Sequence, residues 1–490
     1  MTPLPGPLVL LALPLLAAAV TYLVRRLALL AALLSALTTG TLAILCLRLP
    51  LDRSAFVLGQ EVAFGRPVVI LGRTLVLEPA GQAWLAFAFV LATIFYLFAW
   101  RMSQGHSFFP FSLTVLSLFA LIVLLGTFPL GILVFAISVT LTVFIIQGGQ
   151  YTGVRGAQRY LIVTLLSVPF LLAASWLVDQ SLLVPENASL LRSALLPAGM
   201  GFALLLAAFP FGTWMPAVAA DAPPIVAAFV FTAGQAMALY LGLLFVQDTP
   251  FSLNDPAILA GLQLAGLVMT AAGGVMAAVQ RDFGRFFGYA ALSDLGLLLL
   301  AVGAGGSQGL TQALLHTANR AVVITLLAAS LSILRHRATT DHFAQLQGVA
   351  RRVPIAAMGL ILGGLSLAGF PFTAGFPTHW AISRAVWNWA QPLSPLAQDR
   401  MAGVDSVPGQ EWVWVLTLIA LLASSLGICI GLLRGLSAML GTADRDDVAR
   451  QPLVASLMVL ALAALATILA IYPQLFLEPV QKAVEALSLF

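Results

Sequence analysis

Lysine is all but missing from this chain of 490 residues: Lys482, close to the C-terminus, is its single example, and every other basic side chain except five histidines is arginine. Charge of either sign is scarce, at 9% of residues, against 61% hydrophobic residues and a mean hydropathy of +1.02. Soluble domains carry about 25% charged residues, so the composition excludes one and indicates a multi-pass membrane protein. Cysteine is limited to Cys46 and Cys429, both within apolar stretches, which excludes a disulfide framework and a cysteine metal cluster. Small apolar core residues are the fitting role for both. The longest polar connections, 48–79 and 390–410, are too short to bury a core of their own. Basic residues do not cluster with aromatics on a soluble face, so the pI near 9.4 is not a sign of nucleic acid. A nucleotide loop, a metal cluster and a nucleophile beside a base are all missing, so no catalytic residue, metal or cofactor is expected in this chain.

What is present is a succession of apolar segments of about 20 residues, each long enough to cross roughly 30 Å of hydrocarbon as a helix. About fourteen can be counted, the first at 6–24 and the last at 452–475. The first has no basic residue ahead of it and no small-residue cleavage site, and reads as a retained span. Connections after odd-numbered spans hold most of the arginines, among them Arg25, Arg26, Arg101, Arg155, Arg159, Arg281, Arg285, Arg335, Arg337, Arg351, Arg352 and Arg445. The other side holds chiefly Arg48, Arg53, Arg66, Arg73, Arg192 and Arg400. By the positive-inside rule both termini are expected outside the cytoplasm, in a bacterial-type inner membrane.

Two spans carry the same interruption. Phe209-Pro210-Phe211-Gly212-Thr213-Trp214-Met215-Pro216 breaks the seventh, and Phe370-Pro371-Phe372-Thr373-Ala374-Gly375-Phe376-Pro377 breaks the twelfth, five spans later. Paired proline-broken spans at matching positions are the sequence sign of two inverted repeats. The expected fold is an all-α integral membrane protein with two inverted five-helix repeats. The implied division is 1–104 for the first three helices, 105–247 and 248–436 for the repeats, and 437–490 for the last span and tail. Broken backbone needs protein or water partners at membrane depth, so both breaks, at Pro210 and at Pro371 and Pro377, are expected to face protein.

Four stretches carry a family resemblance. They are Pro210 to Pro216 with Asp221-Ala222-Pro223; Arg281-Asp282-Phe283-Gly284-Arg285 with Tyr289 and Ser293-Asp294-Leu295-Gly296; His316-Thr317-Ala318-Asn319-Arg320-Ala321; and Gly369-Phe370-Pro371 through Gly375-Phe376 with His379-Trp380. Together and in this order they resemble the antiporter-like membrane subunits of respiratory complex I, of multi-subunit sodium/proton antiporters and of membrane-bound hydrogenases. The shorter, fourteen-helix members are the nearest in length.

The resemblance also implies what is gone. The family's charge on the fifth helix falls at Ile137, within Phe135 to Thr140; the lysine before the first break falls on Leu205; the eighth-helix lysine falls on Ala236; and the lysine after the two histidines falls near Ile324. The lysine or glutamate after the second break is His379, and the histidine before the first Trp is Gly212. A charge at the bilayer centre costs at least ~2.5–3.5 kcal/mol, so a fold that keeps buried lysines uses them, and one that has replaced them with Leu, Ala and Ile does not. Polar candidates for an ion path remain in His316, Arg320, His379, Asp294 and Asp221. His316 and Arg320 share a helix face, and Asp294 is the expected partner of Arg320. Asp221 is also expected to cap the start of the eighth span. Ser138, Thr140 and Thr142 are expected to bond to their own helix, and Trp380, Trp387 and Trp389 to form an interfacial belt.

The resemblance implies a membrane-arm subunit of a complex I-type assembly, with other membrane subunits and the lipid bilayer as partners. A degenerate paralogue with little or no transport through the lysine lane is the favoured form. Alternatives are an active proton or cation path through His316, Arg320 and His379, and a membrane partner of a soluble uptake or redox protein outside complex I.

Overall fold

The computed structural model describes residues 4–51, 54–57, 60–101, 104–148, 153–184, 188–251, 255–390, 411–443 and 448–487. Arg53, Arg400 and the acidic turn Asp444 to Asp447 lie outside them. Three membrane helices come first, α1 (Gly6–Leu23), α2 (Ala28–Arg48) and α3 (Pro79–Ala99). The first repeat follows as α4 (Phe108–Leu125), α5 (Phe128–Ile146), α6 (Arg155–Leu183), the broken span α7 (Ala188–Leu205) with α8 (Trp214–Asp221), and α9 (Pro224–Phe229) continuing through a π turn into α10 (Gln235–Gln247). The second comprises α11 (Pro256–Ala278), α12 (Phe283–Gly303), α13 (Gly306–Ala338), the broken span α14 (Pro354–Leu367) with α15 (Gly375–Ala390), and α16 (Glu411–Met439). The last span is α17 (Leu453–Ile471). Among the described residues twelve helices are long and apolar enough to cross a membrane, and the shorter apolar helices of the two broken spans complete the fourteen.

Both breaks use one backbone device. Ala207 N–H bonds Leu204 O while Ala208 N–H reaches back to Ala203 O at 2.8 Å; Gly369 N–H bonds Ser366 O while Phe370 N–H reaches back to Leu365 O at 3.0 Å. These are paired Schellman closures, each with a left-handed residue at the stop, Ala207 at φ 57° and Gly369 at φ 67°. The proline that follows cannot resume the helix. Pro377 falls in the first turn of α15, where its missing N–H leaves no bond unmade. Around the breaks Leu204 to Ala208, Gly212, Trp214 to Pro216 and Thr373 to Gly375 are buried, while Phe209, Pro210, Phe370, Pro371 and Phe372 at the apices lie on the surface of this chain.

Burial orders the helices. α12 and α13 are almost wholly enclosed, whereas α6 and the N-terminal α1 and α2 expose long apolar faces. Close approach at the centre depends on glycine: at Gly288 of α12 a Cβ would collide with the backbone of Pro216, so α8 lies directly on α12. Gly212 explains a departure from the family pattern. A Cβ there would sit 2.6 Å from Leu292 Cδ1 and closer still to the Ala207 carbonyl, leaving no room for histidine.

At the arginine-rich end, Arg335 closes α8 by donating from Nη1 to Ala222 O at 3.0 Å and from Nη2 to Ala219 O at 2.8 Å, while pairing with Asp341 Oδ2 at 2.6 Å. Asp341 also accepts from Gly284 N at 3.0 Å, so α8, α12 and α13 meet in one latch. Asp282 caps α12 through Arg285 N at 2.7 Å. Burial, reinforced by Asp341, holds its carboxyl above the usual range against the pull of that hydrogen bond. A raised carboxyl pKa penalises the folded state once pH climbs past the unfolded value of about 3.9. Asp282→Asn keeps the capping oxygen without the ionisation, so its thermal midpoint is expected to match the parent in acid and exceed it near neutrality; Asp282→Ala loses about 1 kcal/mol of cap. Parallel midpoint-against-pH curves for parent and Asp282→Asn would count against this account.

Three further differences concern the ends and the loops. Asp221 caps another helix than expected: its Oδ2 accepts from Gly156 N at 2.8 Å, at the start of α6, while the eighth span begins at Pro224 with no side-chain cap. The connection 48–79 holds short strands. β1 (Leu4–Pro5) pairs parallel to β3 (Gln60–Ala63), β2 (Ser54–Val57) pairs antiparallel to β3, and β4 (Val68–Ile70) forms a hairpin with β5 (Arg73–Leu75). A final amphipathic helix, α18 (Leu477–Ala486), packs on α3 and α13, with Gln247 Nε2 donating to Leu487 O at 2.7 Å. The lone Lys482 is on its exposed face, paired to Glu478 at 2.7 Å.

Candidate functional site

Six buried polar side chains of the second half converge where α12, α13 and α15 meet. Asp294 comes from α12, His316, Asn319 and Arg320 from successive turns of α13, and Thr378 and His379 from the first turn of α15. Each is buried. Arg320 Nε donates to Asp294 Oδ2 at 2.8 Å, Nη1 to Phe231 O at 3.0 Å and Nη2 to Ala291 O at 3.4 Å. Phe231 belongs to the π turn Val230–Gly234, and a π turn shifts the hydrogen-bond ladder and so offers a carbonyl to a neighbour. Arg320 thus joins the second repeat to the eighth span of the first.

His316 is held on both ring nitrogens. Nε2 lies 3.3 Å from Asp294 Oδ1 and 3.2 Å from Asp294 O, both acceptors, so Nε2 carries hydrogen. Nδ1 lies 3.1 Å from Thr378 Oγ1. The Thr378 hydroxyl has one proton and two calls on it, from His316 Nδ1 and from Gly375 O at 3.0 Å. With neutral His316 it donates to Nδ1; with imidazolium it accepts from Nδ1 and turns its proton to Gly375 O. Asn319 Nδ2 donates to Ala374 O at 2.8 Å and to Thr378 Oγ1 at 3.3 Å, and its Oδ1 is buried with no partner among the described residues. His379 bonds Gly375 O through Nδ1 at 2.7 Å, and its ring meets that of His316 edge to face at 5.8 Å. The arrangement holds one cation and one anion as a pair, with two imidazoles in ring contact beside them. Arg320 itself stays charged, because guanidinium does not deprotonate in proteins.

The remaining candidates lie elsewhere. Asp221 is at the end of α8 on the α6 cap and does not join this cluster. Leu205, Ala236 and Ile324 are 1%, 4% and 0% exposed, enclosed in apolar packing. Ile137 is 54% exposed on the outer face of α5, whereas Phe135, Ser138, Val139 and Thr142 of the same helix are buried. One residue is about 100° of helix, enough to turn an inward site outward. Ser138, Thr140 and Thr142 bond Phe135 O, Ala136 O and Ser138 O of their own helix. Asn319, Thr378 and the Phe231 carbonyl were not signalled by the motifs. Asn319 stands inside the His316 to Arg320 stretch one residue before the arginine and was open to notice; the π turn has no local signature in the sequence.

Comparison with known proteins bears on the fold and the family. NADH-quinone oxidoreductase subunit N of Alkalilimnicola ehrlichii is 30% identical over 190 residues, 38% of each chain. The chain thus spans about two fifths of the length of the curated relatives it matches. The membrane-bound sulfane sulfur reductase, an archaeal respiratory membrane complex, contains a chain that superposes with a TM-score of 0.78 at 16% identity, covering 98% of this chain and 97% of that one. Respiratory complex I from Thermus thermophilus contains another, with a TM-score of 0.75 at 18% identity and 98% coverage of both. At these identities the likeness concerns the fold. The family model described as NADH:quinone oxidoreductase/Mrp antiporter, transmembrane, matches residues 82–398, well over half of the chain and all of the cluster around Asp294, and the protein accordingly belongs to that family of antiporter-like membrane subunits.

Proposed function

We propose that this chain is a membrane-arm subunit of a complex I-type electron-transfer assembly and a degenerate paralogue, conducting little or no proton current through the lysine lane of its relatives. The supporting observation is the enclosure of Leu205, Ala236 and Ile324 in apolar packing, where none of these three side chains can carry a charge. Other membrane subunits of the assembly are its partners, and both termini face away from the cytoplasm, in keeping with the arginine distribution.

A second reading rests on two buried imidazoles, His316 and His379, side by side next to the Asp294–Arg320 pair, since imidazole is the side chain that exchanges protons near neutral pH. The two readings separate in the reconstituted assembly. The His316→Ala, His379→Ala double variant is expected to leave the ratio of protons translocated to electrons transferred unchanged. A lower ratio at unchanged electron transfer would overturn the degenerate reading in favour of transport through the histidines.

A further inference from the structure

An apolar groove of about 380 Å³ opens between the two halves, walled by α7 and α10 of the first and by α11 and α12 of the second. It runs along Leu195 to Ala203 of α7 and Leu206 just past its end, Leu239 to Val246 of α10 and Ala257 to Ala265 of α11. We propose that it seats one acyl chain of an anionic phospholipid whose headgroup is held at Arg192.

Three observations point to that occupant. The lining consists of aliphatic, aromatic and glycine residues alone, so water, which needs two or more polar partners, has nothing to hold it there. The depth is that of one leaflet: at 1.5 Å per residue the stretch from Leu195 to Leu206 covers roughly 16 Å, about half of the ~30 Å hydrocarbon core. One end lies beside Val246 near the end of α10 and Ala257 at the start of α11, and the other beside Leu206 and Ala208 at the first break. Finally, Arg192 is exposed one turn before Leu195 on the same face of α7, just beyond the Leu195 end of the groove. A guanidinium there meets a phosphate with paired hydrogen bonds. A quinone tail would fit the groove but gives Arg192 no anion.

The space is real at named positions. A Cβ built on Gly199 or on Gly261, both in the lining, meets nothing within 4 Å. Aromatic side chains placed there would occupy the groove without displacing backbone.

The test uses the full chain purified in mild detergent, stripped of lipid and reloaded with phosphatidylglycerol, phosphatidylcholine or a long-chain ubiquinone, with retained molecules counted by native mass spectrometry. The parent is expected to hold one phosphatidylglycerol, preferred over phosphatidylcholine by roughly fivefold, the bias one basic residue gives. Gly261→Phe and Gly199→Phe are expected to lose retention at least tenfold, and Gly261→Ala to keep it. Arg192→Gln is expected to retain lipid while binding both headgroups equally. Undiminished retention in the folded phenylalanine variants, an unchanged headgroup preference in Arg192→Gln, or displacement of phosphatidylglycerol by ubiquinone would each overturn the proposal. If neither phenylalanine variant folds, the Arg192→Gln arm decides alone.

Discussion

Arg320→Met is expected to destabilise the protein by about 3–5 kcal/mol, because it leaves Asp294 as an uncompensated charge in the most enclosed part of the bundle. Asp294 and Arg320 are each about 2% exposed, and Nε–Oδ2 at 2.8 Å is the shortest contact either makes with a charged group. The arginine also serves the carbonyls of Phe231 and Ala291, so its loss removes two further hydrogen bonds. His316 cannot make up the difference without taking a proton into the same dry site. The matching test is Arg320→Met combined with Asp294→Leu. Removing both charges eliminates the desolvation that the pair offsets, and buried pairs replaced by apolar residues of similar volume are often neutral or better. The double variant is therefore expected to recover most of the stability lost in the single one, as read by thermal unfolding in detergent. If it is as unstable as Arg320→Met alone, the arginine matters for its bonds to Phe231 and Ala291 and not for the anion.

How far this site could be read from the sequence depends on the range of each interaction. Hydropathy is local, and the fourteen spans are visible because each must match the same hydrocarbon thickness. Proline and glycine also act locally, so Pro210 and Pro371 mark the breaks, although the Schellman closures at Ala207 and Gly369 emerge only with the backbone. Asp294 and Arg320 could be paired because each stands out in an apolar helix and an isolated buried charge is too costly to keep. Asp221 could not be assigned: its partner, Gly156, is 65 residues away, and nearness in sequence suggested the wrong helix. Ile137 turns on register, since sequence likeness points to a helix but not to a face of it. The Phe231 carbonyl is the hardest case. It becomes an acceptor through a π turn that tertiary packing imposes, yet it is what brings a guanidinium to the eighth span five residues before the vacant position Ala236.

Ile324→Lys is expected to be nearly as damaging as Arg320→Met, and it tests the loss of the lysine lane directly. Ile324 is 0% exposed and lies one turn beyond Arg320 on the same face of α13. A new ammonium there bears the ~2.5–3.5 kcal/mol of a charge at mid-membrane, to which a like charge at i,i+4 adds a few tenths of a kcal/mol. Asp294, the nearest buried acid along this face, is already committed to Arg320. Moving the cation by combining Ile324→Lys with Arg320→Met is expected to fail as well. The acceptors that hold a cation, Asp294 Oδ2 and the Phe231 and Ala291 carbonyls, all surround position 320, and a turn of helix is 5.4 Å. The measurement is the folded yield and the thermal midpoint of the three variants in one detergent. Tolerance of lysine at 324, with a midpoint close to the parent, would mean that water or a hidden acceptor reaches that level of α13, and the lane would then be open rather than lost. Intolerance, with the cation accepted only at 320, would show that this level of α13 admits a positive charge only where Asp294 Oδ2 and the Phe231 and Ala291 carbonyls surround it.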